Sequence, residues 1–142
     1  MTINTASARY EGLGKDGKGH IWTGSGVLDA QPYGFNTRFE GAKGTNPEEL
    51  IAAAHAACFT MALSFALAGA GHSDGQLDTT AKVTLEKDGT GFTVTRSALS
   101  VVARVPGIDE AEFGRIADDA KANCPISKLL NCEVTLERAL MG

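Results

Sequence analysis

The chain has few thiol and imidazole groups and no cluster of basic residues. Only three cysteines and three histidines occur among its 142 residues, and its 13 lysines and arginines are scattered. The formal net charge is −4, so the basic stripe that would neutralise a phosphate backbone is missing. This composition argues against nucleic acid and against acidic membrane surfaces as partners.

Spacings typical of a metal site are also missing. No C-x-x-C or H-x-x-x-H pair occurs. The candidate ligands are isolated from one another: Cys58, Cys124, Cys132, His20, His55 and His72. We therefore expect no bound metal.

The amino-terminal residues "MTINTASARYEG" contain no apolar segment after a positive start, so no secretory signal is visible and we expect a cytoplasmic protein. Thiols are kept reduced in that compartment, and three cysteines cannot all pair within one chain. On these grounds alone, each cysteine is best interpreted as a small buried hydrophobic residue.

The strand pattern predicts an α+β protein. No repeat, linker or low-complexity tract occurs, which favours a single domain over residues 1–142. Short β-like runs separated by Gly and Pro predict an antiparallel meander near the amino terminus, and longer alternating runs predict a hairpin and a final strand. A change in which positions are apolar places a bulge near Ser97. The predicted strands are Ala8–Tyr10, His20–Leu28, Tyr33–Glu40, Leu77–Lys87, Phe92–Val105 and Cys132–Leu140.

Two helices are predicted. Asn46 is a good N-cap, Pro47 fits the first helical position and Glu49 can complete a capping box, for a helix that runs to Ala68. A second helix follows the pair Asp109 and Glu112, with an apolar stripe at spacings of three and four. That stripe consists of Phe113, Ile116, Ala117, Ala120 and Cys124.

The segment Leu50–Ala70 has no charged side chain and is long enough for a membrane span. Its high Ala and Gly content, its polar interruptions and its lack of Lys/Arg flanks argue against that interpretation. The soluble alternative is a helix about 34 Å long that is buried on every side. A chain this small cannot easily surround such a helix. We therefore expect an obligate homodimer.

Three motifs together resemble the OsmC/Ohr family of thiol-dependent peroxidases. They are "QPYGFNTRFEGAKGTNPEELIAAAHAACF", "PGID" and "KANCPIS", and the resemblance extends from about Tyr10 to Leu140. The segment "PYGFNTRFEG" is similar to the OsmC branch. The resemblance implies antiparallel strands wrapped around two long central helices in an intertwined homodimer. It also implies reduction of organic hydroperoxides, with hydrogen peroxide a poorer substrate, without haem, flavin, metal or another cofactor.

The resemblance also implies the site residues. Cys58 would be the peroxidatic thiol, Cys124 would resolve it as an intrachain disulfide, and Arg38 with Glu48 would complete the site. In the Ohr branch the arginine lies in an early glycine-rich loop, which reads "GKDGKGH" here and contains none, so Arg9 is only a fallback. A dithiol, including a lipoyl protein, would reduce the disulfide.

Elementary chemistry supports this assignment. The nucleophile must be a thiolate, and burial alone would raise the pKa of Cys58 and make it inert. Arg38 could offset that cost, and Glu48 could orient the guanidinium through a bidentate pair. Glu48 and Cys58 are ten residues apart, about 15 Å along an unbroken helix. We therefore hypothesise that the Arg38–Glu48 pair of one subunit meets Cys58 of the other.

Several alternatives stay open. His55 is either a buried histidine with satisfied hydrogen bonds, which is favoured, or a base that tunes the thiol. Cys132 is either structural, which is favoured, or a second resolving thiol. A non-catalytic small-molecule binder or a redox sensor on the same dimer is the rival function.

Overall fold

The computed structural model describes all 142 residues, which form two compact units, Met1–Leu50 and Ile51–Gly142. The single domain expected from chain length stays a prediction. In the first unit, three short strands form an antiparallel sheet in sequence order, as expected for a meander. These strands are β1 (Ala6–Glu11), β2 (Lys18–Thr23) and β3 (Gln31–Tyr33).

Strand β2 is shorter than predicted at its carboxyl end. The predicted strand His20–Leu28 begins at Lys18 and ends at Thr23. The chain turns there because the Gly26 N–H donates to the Thr23 carbonyl at 2.9 Å. The glycines that follow Thr23 therefore belong to a turn.

The predicted strand Tyr33–Glu40 is wrong beyond Tyr33. The chain instead forms a one-turn helix, α1 (Phe35–Phe39). The Thr37 hydroxyl closes this turn, because it accepts from the Gly34 N–H at 2.8 Å and donates to the Gly34 carbonyl at 3.0 Å. The two phenylalanines of the segment are four residues apart, with ring centroids separated by 5.0 Å. That spacing fits a helix as well as a strand, so periodicity could not distinguish them in so short a run.

The long helix α2 spans Pro47–Gly69, one residue beyond the predicted end. The predicted N-cap is present, because the Asn46 side-chain oxygen accepts from the Glu49 N–H at 2.8 Å. The Glu49 carboxylate accepts from the Thr45 hydroxyl at 2.8 Å, a different local bond from the predicted capping box. After the helix, Gly71 adopts a φ of 96°, which permits the chain to turn away.

The second unit contains a three-stranded sheet in the order β4-β5-β6, formed by β4 (Gln76–Asp88), β5 (Gly91–Arg104) and β6 (Glu133–Met141). Strands β4 and β5 form the predicted antiparallel hairpin. Its bulge lies at Thr95, two residues from the predicted position: Thr84 pairs with Arg96 and Leu85 with Val94.

Strand β6 runs parallel to β5, which corrects the expectation of an entirely antiparallel arrangement. Two helices connect these strands, α3 (Glu110–Asn123) and α4 (Pro125–Leu129). A crossover of this length is what parallel pairing requires. The pattern predicted α3, and its N-cap is present, because the Asp109 carboxylate accepts from the Glu112 N–H at 2.7 Å. It did not predict α4.

The core of the second unit lies between the helices and β5. The predicted stripe of α3 faces this core, as does one stripe of α2 with a four-residue spacing. The buried apolar side chains are Phe59, Leu63, Leu67, Leu99, Val101, Ala103, Val105, Phe113, Ala117, Ala120 and Cys124.

The opposite face of α2 is apolar but uncovered in the single chain. Met61 is 60% exposed and Phe65 is 72% exposed. By length and composition the helix could cross a membrane, a criterion that core helices of soluble proteins also meet. Burial on every side, as predicted, would need a further surface against this face.

Truncating Phe113 to Ala should lower the free energy of unfolding by about 3–5 kcal/mol, because its ring is fully packed and its loss leaves a cavity. Arg115→Ala on the exposed face of the same helix is the matched control, and it should change stability by less than about 0.5 kcal/mol. Urea unfolding at one fixed protein concentration measures both. Equal effects would contradict the assigned core.

Candidate active site

Two of the three cysteines lie in contact in the second unit. Cys58 is half-buried in α2, and Cys124 is 1% exposed at the junction of α3 and α4. The Cys124 thiol and the backbone N–H of Ile126 both lie near enough to the Cys58 sulfur to shift its pKa. All three cysteines are reduced. The structure thus brings together the two thiols that the resemblance paired.

The surroundings of Cys58 favour its protonated form. Burial raises the pKa of the Cys58 thiol, and the charge and hydrogen bond of Cys124 raise it further. The Ile126 N–H acts in the opposite direction, because it stabilises a thiolate. Activating Cys58 as a nucleophile therefore needs a positive charge in addition to these groups.

The proline after Cys124 restricts the backbone conformation of this cysteine. A residue before proline is disfavoured in the helical region, and Cys124 accordingly has φ −64° and ψ 141°. Its N–H donates to the Ala120 carbonyl at 3.0 Å and closes α3. Its sulfur accepts from the Ser127 N–H at 3.4 Å and caps α4, whose first residue is Pro125. One residue thus ends one helix and begins the next.

A chain of hydrogen bonds leads from Cys124 to a buried histidine. The Ser127 hydroxyl lies 3.1 Å from the Cys124 sulfur and 2.7 Å from His55 Nε2. On the other side of the ring, Nδ1 lies 2.6 Å from the Ser97 hydroxyl. His55 is completely buried, and burial lowers its pKa, so the neutral imidazole is favoured. The burial and satisfied hydrogen bonds predicted for His55 are confirmed.

Sequence analysis did not identify Ser127 or Ser97 as site residues, although each carried a signal. Ser127 is three residues after the capping Cys124, where a backbone N–H meets the cap. Ser97 occupies the same face of β5 as Leu99 and Val101, which makes it a polar residue on an apolar stripe. A buried hydroxyl of this kind needs a hydrogen-bond partner.

In the first unit, Arg38 and Glu48 form the predicted bidentate pair. Arg38 Nε donates to Glu48 Oε1 at 2.7 Å, and Nη2 donates to Oε2 at 2.9 Å. The Arg38 side chain is 32% exposed and that of Glu48 is 12% exposed. This geometry fixes the plane of the guanidinium. Arg9, the fallback, lies on β1 with its guanidinium 5.9 Å from the centre of the Trp22 ring.

The connection before α2 depends on a close backbone approach at Gly44. This residue has a φ of 137°, a region that side chains disfavour, and a Cβ there would collide with the Pro32 carbonyl. The same carbonyl accepts from the Thr45 N–H at 3.0 Å. The chain is thereby folded back between α1, which carries Arg38, and the first turn of α2, which carries Glu48.

A cavity of about 510 Å³ adjoins Arg38 within the first unit. Four aromatic side chains contribute to its walls, and Lys15 contributes a second cationic side chain. The residues that line it include Tyr10, Tyr33, Phe35, Phe39 and Pro47. Phe35 and Phe39 both line this cavity. The cavity can hold an apolar group beside a guanidinium.

Cys132 lies just outside the strand predicted to contain it. It is half-buried and immediately precedes β6, which begins at Glu133. No group of three or more His, Cys, Asp and Glu side chains in the chain is placed to hold a metal ion.

Comparison with known proteins identifies the family. Residues 40–138 match the family described as OsmC-like protein. This chain belongs to the OsmC family. It is 56% identical over 141 residues to the peroxiredoxin OsmC of Escherichia coli strain K12, which covers 99% of each chain. The family predicted from the three motifs is confirmed.

A second relative belongs to the Ohr group. The organic hydroperoxide resistance protein OhrB of Bacillus subtilis strain 168 is 34% identical over 123 residues, 84% of this chain and 88% of OhrB. The crystal structure of OhrB superposes with a TM-score of 0.69 at 31% identity, over 95% of this chain and 98% of that one. The α+β fold is thus shared with this group.

Removing the Cys124 thiol should lower the pKa of Cys58, because both contributions of Cys124 favour the protonated form. The pH dependence of Cys58 alkylation, resolved by peptide mass spectrometry, measures this pKa. Cys124→Ala should move the midpoint to lower pH, whereas Cys132→Ala should leave it in place. An unchanged midpoint in Cys124→Ala would contradict the contact between the two sulfurs.

Proposed function

We propose that this protein is a cysteine-based peroxidase that reduces organic hydroperoxides, and hydrogen peroxide less well. The contact between the Cys58 and Cys124 thiols carries the proposal, because it provides both a nucleophile and a thiol to resolve it. Its relatives support the reaction, since one is named a peroxiredoxin and another an organic hydroperoxide resistance protein.

The first step consumes the peroxide. The Cys58 thiolate attacks one oxygen of R–O–O–H, the O–O bond breaks, and the alkoxide takes up a proton and leaves as an alcohol. Cys58 is oxidised to the sulfenic acid, and the peroxide is reduced by two electrons. The Ile126 N–H, already directed at the sulfur, stabilises the anion before the attack.

The second step protects Cys58 from further oxidation. The Cys124 sulfur attacks the sulfenic sulfur, the S–O bond breaks, and an intrachain disulfide and one water form. The two thiols are already close enough to affect each other, so little movement is required. A dithiol, such as a lipoyl protein, then reduces the disulfide by thiol–disulfide exchange.

Arg38 supplies the charge that Cys58 lacks. Burial and Cys124 both favour the neutral thiol, and a guanidinium stays ionised in a partly buried site and offers several donors. The bidentate bond to Glu48 holds it in one orientation. In this proposal Arg38 stabilises the thiolate and binds the peroxide oxygens, while Glu48 positions Arg38.

The aromatic cavity beside Arg38 supports organic peroxides as substrates. Its apolar walls can cover the organic group while the guanidinium faces the peroxide. Hydrogen peroxide has no such group and gains nothing from these walls. The preference is therefore for hydroperoxides with an apolar substituent.

The protein acts as an intertwined homodimer in this proposal, with one long α2 from each subunit at its centre. The apolar face of α2 around Met61 and Phe65 supports it, since a second copy would remove that face from water. Covering this face with protein also accounts for the apolar helix in a soluble, cytoplasmic enzyme.

The two subunits share each site. Cys58 lies ten residues after Glu48 on the unbroken α2, about 15 Å of helix rise. One guanidinium cannot contact both side chains across that distance on one helix. We therefore assign the Arg38–Glu48 pair of one subunit to Cys58 of the partner subunit.

Thiol counting tests the reaction. One equivalent of cumene hydroperoxide should remove two thiols per chain, because one disulfide forms. Cys124→Ser should lose only the Cys58 thiol and then over-oxidise it, whereas Cys132→Ser should still form the disulfide. A non-catalytic binder or a redox sensor, the rival functions, would give no sustained peroxide consumption with dithiothreitol. Unchanged thiols at excess peroxide would overturn the proposal.

Mixed dimers test the shared site. A Cys58→Ser chain keeps Arg38, and an Arg38→Gln chain keeps Cys58, so each homodimer should be inactive. If each site takes Arg38 from the partner, co-expressed mixed dimers regain one complete site and about half the activity of the wild type. No recovery would assign both residues to one chain.

The control for the mixed dimer uses another ion-paired arginine. Arg96 bonds to Glu133 on the exposed surface at 2.8 Å. Pairing Cys58→Ser with Arg96→Gln should leave one active site under either arrangement. Its activity calibrates the recovery expected from the test pair.

A further inference from the structure

We propose that Ser127 and His55 form a proton relay that activates Cys124 for disulfide formation. Ser127 contacts the reacting sulfur, and His55 acts through Ser127 as a positioning residue and proton acceptor. This inference rests on the proposed peroxidase function and assigns the chemistry of its second step. It gives a role to a histidine that the reaction with peroxide does not use.

The relay is continuous in the structure. The Cys124 sulfur, the Ser127 hydroxyl and His55 Nε2 follow one another at 3.1 Å and 2.7 Å. Three separate elements contribute to it, because Cys124 and Ser127 flank the start of α4, His55 lies on α2 and Ser97 lies on β5. His55 and Ser97 are both completely buried, so water does not compete for the bond between them, and Ser127 is half-buried.

The hydrogen-bond inventory allows a proton to pass from Cys124 to the imidazole. A neutral imidazole has one donor and one acceptor nitrogen, and a hydroxyl can accept and donate at once. With Nδ1–H donating to Ser97, Nε2 accepts from the Ser127 hydroxyl, whose oxygen accepts from the Cys124 S–H. Every group then has a partner, and the thiol proton has a path to the imidazole.

The step balances along this path. As the Cys124 sulfur bonds to the sulfenic sulfur of Cys58, its proton passes to Ser127 and the Ser127 proton passes to Nε2. The S–O bond of Cys58 breaks, and the hydroxide that leaves takes a proton and departs as water. The proton that the imidazolium releases balances the one that the hydroxide takes up. The step therefore yields one disulfide and one water without net proton uptake.

The electrostatic setting suits a proton acceptor at neutral pH. The groups facing the imidazole are hydroxyls from β5 and α4, with the Cys124 thiol beyond Ser127 and Cys58 one turn along α2. No charged partner contributes to the lowered pKa of His55, whose cause is burial. The ring is therefore neutral at neutral pH. Acid protonates it, and the imidazolium can no longer accept a proton from Ser127.

The size of the effect has a ceiling. An ordinary thiol is already a few per cent ionised at neutral pH, so a base can accelerate its attack by no more than about thirtyfold. We expect loss of the relay to slow disulfide formation on the order of tenfold. The first step, in which Cys58 reacts with peroxide, should keep its rate.

The test measures how the Cys58 sulfenic acid is partitioned. After a pulse of excess cumene hydroperoxide on the full-length protein, mass spectrometry quantifies the disulfide against the sulfinic acid of Cys58. Ser127→Ala and His55→Gln should each shift this ratio about tenfold towards the sulfinic acid. Ser127→Thr keeps a hydroxyl and should restore the ratio, and Ser100→Ala, an exposed serine of β5, should leave it unchanged.

The pH profile separates proton transfer from a structural role. Hydroxide can accept the thiol proton directly as pH rises, so the defect of Ser127→Ala should disappear at alkaline pH. A defect of equal size at every pH would overturn the relay and leave Ser127 a structural residue. Wild-type behaviour of both Ser127→Ala and His55→Gln would overturn it as well.

The proposed peroxidase function can fail separately. If the wild-type protein forms neither the sulfinic acid nor the disulfide, Cys58 is not peroxidatic and the failure belongs to the enzyme assignment. If the wild type reacts and both relay variants give the same ratio of disulfide to sulfinic acid as the wild type, the failure belongs to the relay. Thermal unfolding of each variant identifies any that do not fold, and either of the two relay variants suffices for the test.

Discussion

The packing of one stripe of α2 against β5 and α3 determines where the reactive groups lie. Phe59, Leu63 and Leu67 are buried in that contact, and His55 continues the same stripe towards the amino end of the helix. Cys58 precedes Phe59 and is therefore held at the edge of the core. The Cys58 side chain packs against close-packed apolar neighbours there. The same burial makes the thiol a poor acid, so this packing creates the need for a cation from elsewhere.

The distribution of polar groups follows from that constraint. No positively charged side chain contributes to the pKa of Cys58. The ionised groups of the proposed site, Arg38 and Glu48, belong to the segment before and at the start of α2. A charged pair in the core would incur a large desolvation cost. Placing it on a separate, partly exposed segment avoids that cost and leaves the guanidinium accessible to substrate.

Local chemistry allowed much of this structure to be predicted from the sequence. The Asn46 and Asp109 caps, the hairpin with its bulge, the stripe of α3 and the Arg38–Glu48 pair all rest on interactions between near neighbours or on simple periodicity. The failures have physical causes. The segment with Phe35 and Phe39 fits two periods, and only the Thr37 hydroxyl decides between them. The direction of β6 depends on the path of α3 and α4, which no local pattern encodes. The serines that bind His55 are 42 and 72 residues away from it, beyond the reach of sequence spacing.

In the proposed reaction the Cys124 sulfur has two tasks that oppose each other. In the reduced protein it accepts a hydrogen bond from the Ser127 N–H and so caps the first turn of α4. Once that sulfur enters a disulfide, it is a weaker hydrogen-bond acceptor. The start of α4 then loses its capping hydrogen bond and gains a covalent bond to Cys58. The carboxyl side of the "NCPIS" segment would then loosen while its cysteine becomes tethered to α2. Oxidation would thus be accompanied by fraying at this helix start, which exposes the sulfur–sulfur bond to the thiol that must reduce it.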